Sequence, residues 1–194
     1  MIHITEVGDS GLVPPRPKGQ NEMVRALFPG TFDPIHYGHI DIAQRAARLF
    51  DEVIMAVYDL PLKTLMFEPE ERIALVREAF KDKPKIKVMG YSGLTVDFCR
   101  KVDAQVVVRG LRVFSDFEFE FRMALANQRL SADIETVALI TAEQHTFLSS
   151  STVREIAALN GDVSSMVPSY VNKALRAKVT SLGDQHSPPN ALRD

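Results

Sequence analysis

The segment Gly30-Thr31-Phe32-Asp33-Pro34-Ile35-His36-Tyr37-Gly38-His39 places two glycines, a carboxylate and two histidines in one short stretch. Gly30 and Gly38 let the backbone come close to a bulky anion, and a helix beginning near Gly38 would aim free N–H groups at it. His39, in the first turn of that helix, could donate directly to a phosphate oxygen. Two plainer readings stand beside this one. The segment could be a helix cap with incidental histidines, or Asp33, His36 and His39 could be metal ligands. The spacing is not the His-Glu-x-x-His pattern of zinc enzymes, however, and no further Cys or His cluster completes a site.

Arg109-Gly110-Leu111-Arg112 follows the apolar run Val106-Val107-Val108. Two guanidinium forks separated by a glycine can hold two different phosphates, or they can pair with Asp116, Glu118 or Glu120. Ser149-Ser150-Ser151-Thr152 reads as a helix start, with Glu155 near the capping-box position. One hydroxyl suffices for a cap, so four in succession suggest a cradle for a phosphate chain. Lys63, taken alone, is an ordinary solvated charge. Cys99 is the only cysteine and sits among Val96, Phe98 and Val102, as a small core side chain would. With no partner for a disulfide, it points to a reducing, cytoplasmic setting.

Short apolar runs alternate with segments of helical period. The predicted strands are Val24–Phe28, Val53–Tyr58, Ile86–Gly90, Gln105–Val108 and Glu135–Ile140, continuous enough in apolarity to be buried on both faces. The predicted helices are Gly38–Phe50, Pro69–Phe80, Leu94–Val102, Phe114–Leu130, Ser151–Leu159 and Pro168–Val179. Phe114, Phe117, Phe121 and Leu125 form the apolar stripe of the fourth. This alternation implies an α/β fold: a doubly wound, parallel, five-stranded sheet with helices on both faces. Ligands bind such sheets beyond the carboxyl ends of the strands. That is where the unusual residues fall. Gly30 to His39 follow the first strand, Lys63 the second, Tyr91 to Thr95 the third, Arg109 and Arg112 the fourth, and His145 to Ser151 the last.

The bulk composition sets limits. The 194 residues suit one domain, and the net charge of −2, from 23 basic and 25 acidic residues, argues against a polybasic surface for nucleic acid or membrane. No run approaches the roughly 18 apolar residues of a membrane span. Residues 1–22, with Pro14, Pro15 and Pro17, read as a flexible extension, 23–179 as the domain, and 180–194, with Gly183, Pro188 and Pro189, as a flexible tail.

Thr31-x-Asp33-Pro34-x-His36-x-Gly38-His39 resembles the T/HxGH signature of the nucleotidyltransferases, which share a Rossmann-like sheet. Arg109-Gly110-Leu111-Arg112 with Asp116-Phe117-Glu118-Phe119-Glu120 is similar to the corresponding region of the bacterial phosphopantetheine adenylyltransferase family. Lys63, Met66-Phe67, Glu70-Glu71-Arg72, Gly93-Leu94, Asp97-Phe98 and Ser149-Ser150-Ser151 fall in matching positions. The sequence departs from the family pattern at Phe119, usually Tyr, and at His145, where Trp or Tyr is common.

The resemblance implies transfer of AMP from ATP to 4′-phosphopantetheine, giving dephospho-coenzyme A and pyrophosphate, with coenzyme A as a further ligand. It implies magnesium carried mainly by the ATP phosphates, and a homohexamer. Thr31, Lys63, Thr95 and Arg109 are expected to contact the acceptor, with Leu94 and Phe98 beside its amide arm. Thr31, Phe32, His39, Gly110, Leu111, Arg112, Glu120, His145, Thr146, Phe147, Leu148, Ser149, Ser150 and Ser151 are expected to contact ATP. The acceptor phosphate is already anionic, so no general base is needed, and His39 is expected to be the catalytic donor to the α-phosphate.

Overall fold

A computed structural model describes residues 23–59 and 65–185. Five strands, β1 (Arg25–Gly30), β2 (Glu52–Tyr58), β3 (Ile86–Tyr91), β4 (Val106–Leu111) and β5 (Glu135–Ile140), form one sheet in the order β3-β2-β1-β4-β5. All neighbours pair in parallel. Between them run α1 (Tyr37–Leu49), α2 (Pro69–Ala79), α3 (Thr95–Lys101) and α4 (Phe114–Leu130); after β5 come a single 3-10 turn (Glu143–His145), α5 (Ser150–Ala158) and α6 (Ser169–Gln185). Chain order reverses between β1 and β4, so their carboxyl ends part there and open a crevice.

Alternation along the strands divides the core. Ala26, Phe28, Val53, Met55, Val57, Val106 and Val108 face one side, where Ile42, Ala43 and Ala46 of α1, Val76 of α2 and Leu175 of α6 meet them. Leu27, Ile54, Ala56 and Val107 face the other side and pack on Val96, Phe98 and Cys99 of α3. Cys99 is fully buried, and burial pushes its thiol up to about 11, so it is a core side chain without nucleophilic character.

Three sequence expectations need correction. Only β1 and β2 are buried along nearly their whole length; β3 and β5 carry exposed residues because each has a neighbour on one side only. The Phe114, Phe117, Phe121 and Leu125 stripe of α4 faces outward, with Phe114 86% exposed, and its rings stack along the helix surface. Finally, α6 runs to Gln185, so the boundary expected at 180 falls inside a helix. A single glycine such as Gly183 costs a helix only about 1 kcal/mol, which the flanking turns tolerate. Residues 1–22 and 186–194, read as flexible, lie outside the described residues.

Candidate active site

The end of β1 is shaped by a tight turn. Phe32 has φ of 48°, in the left-handed region that a bulky residue rarely adopts, and its ring folds back over Gly30. A Cβ on Gly30 would sit 2.9 Å from Phe32 Cζ, so this position admits little but glycine. Asp33 is fully buried and turned away from the crevice: Oδ1 accepts from the Phe67 N–H at 2.9 Å, Oδ2 accepts from the Met66 N–H at 2.8 Å, and Arg154 pairs with it at 3.2 Å. Its carboxylate is thus committed to holding the segment before α2, which removes it from the metal-ligand reading.

His36 caps α1 in an extended conformation, and His39 occupies the third helical position. The rings stack with centroids 3.7 Å apart, and Phe32 meets His39 edge-on at 5.0 Å. The His36 N–H donates to His39 Nδ1 at 3.4 Å. With Nδ1 accepting, a neutral His39 carries its proton on Nε2. Neutrality is favoured strongly. Burial, then His36 and the Arg112 and Arg109 guanidiniums, hold its pKa well below the ordinary histidine value. Burial, with Arg112 and His145, lowers His36 to about 3.

Arg109 and Arg112 leave β4 toward the crevice, and both pair with α4. Arg109 Nε and Nη2 each donate to Glu120 at 2.6 Å, and Nη1 donates to the Pro29 carbonyl at 2.9 Å. Arg112 forks onto Asp116 at 3.0 and 3.1 Å, while its Nη1 donates to the Leu148 carbonyl at 2.7 Å. The carboxylate reading of the arginines holds: Glu120 and Asp116 orient the guanidiniums, which also border the cavity. Glu118 pairs instead with Arg122 on the surface.

On α5, Ser149 is the cap, its Oγ accepting from the Thr152 N–H at 3.0 Å; Glu155 lies too far along to complete a box. Ser150 Oγ donates to the Pro34 carbonyl at 2.9 Å, so the serine run is also bonded to the β1 turn.

These groups enclose a cavity of about 490 Å³ at the carboxyl ends of β1 and β4. Thr31, Phe32, His39, Thr95, Arg109, Gly110, Arg112, Glu120, Leu148, Ser149, Ser150 and Ser151 line it. Leu111, His145, Thr146 and Phe147 do not; the His145 ring lies parallel to that of Tyr37 at 6.4 Å, and Phe147 is largely exposed. Lys63 lies outside the described residues. Tyr91, among the unusual residues after the third predicted strand, joins the wall, and so does Tyr58, which had not been singled out; Tyr58 is the last residue of its strand, the signal that would have found it.

A second cavity, of about 640 Å³, opens under α4 and shares Pro29, Tyr58, Thr95, Arg109 and Glu120 with the first. Its remaining wall is largely apolar, with Val107, Phe119, Met123 and Ala124. Leu94 and Phe98, expected to supply such a surface, line neither cavity: Leu94 is exposed, and Phe98 is buried against Tyr91.

Comparison with known proteins gives consistent findings. The profile of the cytidylyltransferase-like family matches residues 27–156. Over 154 residues the chain is 54% identical to a phosphopantetheine adenylyltransferase of Roseiflexus sp. strain RS-1, covering 79% of this chain and 96% of that one. It is 50% identical to the phosphopantetheine adenylyltransferase of Methylococcus capsulatus over 160 residues, covering 82% and 99% of the two chains. A crystal structure assigned as a nicotinate-nucleotide adenylyltransferase from Vibrio parahaemolyticus superposes with a TM-score of 0.61 over 79% of this chain and 99% of its own. At 20% identity, that likeness speaks for the fold alone.

Proposed function

This chain belongs to the phosphopantetheine adenylyltransferase family, enzymes of coenzyme A biosynthesis that join ATP and 4′-phosphopantetheine, and we propose that the two adjoining cavities hold these two substrates. The observation that carries the reading is their junction at Arg109, with a polar chamber on one side and an apolar one on the other. A phosphate placed at the junction, near Thr31, Thr95 and Arg109, would let an extended amide arm run beneath α4 along Phe119, Met123 and Ala124. Lys63 would add a point charge from the segment after β2. The triphosphate would lie against His39, Gly110, Arg112 and the serine run, with Phe32 and Glu120 beside it.

In this arrangement an oxygen of the acceptor phosphate attacks the α-phosphorus of ATP. The bond to the β-phosphate bridging oxygen breaks, and pyrophosphate leaves with the electron pair. No side chain has to remove a proton. The neutral His39 Nε2–H donates to the charge that grows on the α-phosphoryl oxygens, preorganised by the bond at Nδ1. Magnesium enters with the triphosphate as part of the substrate. Asp116 and Glu120 on the cavity wall already face arginines, and among the described residues no group of three His, Cys, Asp or Glu side chains could hold a metal ion.

A homohexamer in the cytoplasm completes the proposal. The outward aromatic face of α4 supports self-association, since neighbouring exposed aromatic side chains favour burial against another surface. No helix among the described residues is long and apolar enough to cross a membrane. Isotope tracing tests the chemistry: label from the α-phosphate of ATP should appear in dephospho-coenzyme A and label from the γ-phosphate in pyrophosphate. Label from the γ-phosphate in the organic product would overturn the reading.

A further inference from the structure

Arg72 heads the described side chains that are fully withdrawn from solvent, yet it is a cation on α2 beside the core residues Ile73 and Val76. Four of its N–H groups donate to main-chain carbonyls. Nε reaches Phe67 at 3.2 Å, Nη1 reaches Thr31 at 2.8 Å and Tyr58 at 2.7 Å, and Nη2 reaches Asp59 at 3.3 Å. Burying a guanidinium is costly, and an apolar side chain of similar volume would serve the core as well.

What the guanidinium achieves is position. Thr31 lies in the turn after β1, Tyr58 ends β2, Asp59 follows it, and Phe67 precedes α2. One planar fork therefore ties three separate stretches of chain at one edge of the cavity, where Thr31 and Tyr58 form part of the wall. Asp33 braces the same place by accepting from Met66 and Phe67. Tyr58 also borders the apolar chamber, so the tied edge is the junction assigned above to the acceptor phosphate.

We propose that Arg72 is a positioning residue for the acceptor: it touches neither substrate and sets the spacing of the β1 and β2 ends against which the acceptor phosphate is held. The inference rests on the acceptor site described under the proposed function. A lysine keeps the charge but donates from a single atom, so it cannot span carbonyls spread around a guanidinium plane.

The test is R72K in the full chain, measuring KM for 4′-phosphopantetheine, Kd for ATP by calorimetry, and stability in urea. Ile73→Ala on the same helix serves as the control. R72K should raise the acceptor KM by about tenfold or more while the ATP Kd stays within about twofold, because a displaced wall acts on the ligand it faces. I73A should lower stability without changing that ratio. Equal shifts in both constants, or an unchanged acceptor KM, would overturn the proposal. Should R72K not fold, the Arg72 Nε–H resonance of the native chain decides the matter: it should move on adding 4′-phosphopantetheine and stay still with a non-hydrolysable ATP analogue, and the reverse pattern overturns the proposal. A native chain that turns over 4′-phosphopantetheine beside an R72K of unchanged KM sinks this inference alone. A native chain without turnover sinks the acceptor reading, and this inference with it.

Discussion

Acidifying the ligand-free protein from about pH 7.5 to about pH 5 should remove about 2 kcal/mol of stability through His36. In the unfolded chain this imidazole takes up a proton near its ordinary 6.5, whereas in the folded chain it resists until about 3. Between those values the unfolded state binds more protons than the folded state. Stability therefore rises with pH in that window and is lost as pH falls below 6.5, with the loss ending near 3. The cause is physical and local: His36 is almost wholly buried, its Nδ1 has no hydrogen-bond partner among the described residues, and the Arg112 guanidinium and His145 oppose a further charge. Urea unfolding of the native chain and of His36→Gln at the two pH values isolates the effect, because glutamine has no proton to gain. The native chain should lose about 2 kcal/mol more than the variant over this range. Equal losses in the two proteins would show that burial does not hold His36 neutral, and the reasoning would fail.

Three further outcomes are expected. His39→Ala should lower kcat by roughly 10²–10³-fold, as for loss of a preorganised donor, with much less change in ATP affinity by calorimetry. Asp33→Ala should destabilise the fold by about 2–5 kcal/mol in urea, because it leaves the Met66 and Phe67 N–H groups without an acceptor and removes the carboxylate that pairs with Arg154. Deleting residues 1–22 should leave unfolding midpoint and turnover close to those of the full chain, and a loss of turnover in a folded deletion would place that segment in the site or in an essential interface.

The parts legible in the sequence were those with a local cause. Apolar runs alternating with helical periods gave the element order, and the rule that ligands gather at strand ends brought Thr31, His39, Arg109 and Ser149 together before any geometry was known. Features that depend on distant chain were hidden. Glu70-Glu71-Arg72 looks like a solvated charge run, and only the carbonyls of Thr31, Tyr58 and Asp59 draw Arg72 inside. The period of Phe114, Phe117 and Phe121 reveals a stripe but not the side it faces. In the same way, the spacing of His36 and His39 says nothing of how deeply their rings are buried, from which the neutral state of the pair follows.

The most direct test of the central claim is a kinetic panel that follows pyrophosphate release from magnesium–ATP with 4′-phosphopantetheine, pantetheine and nicotinamide mononucleotide as acceptors. The highest kcat/KM is expected for 4′-phosphopantetheine. No turnover is expected of pantetheine, whose hydroxyl would need a base that none of the residues assigned to the reaction provides. A higher kcat/KM for nicotinamide mononucleotide, or turnover of pantetheine at a comparable rate, would contradict the assignment.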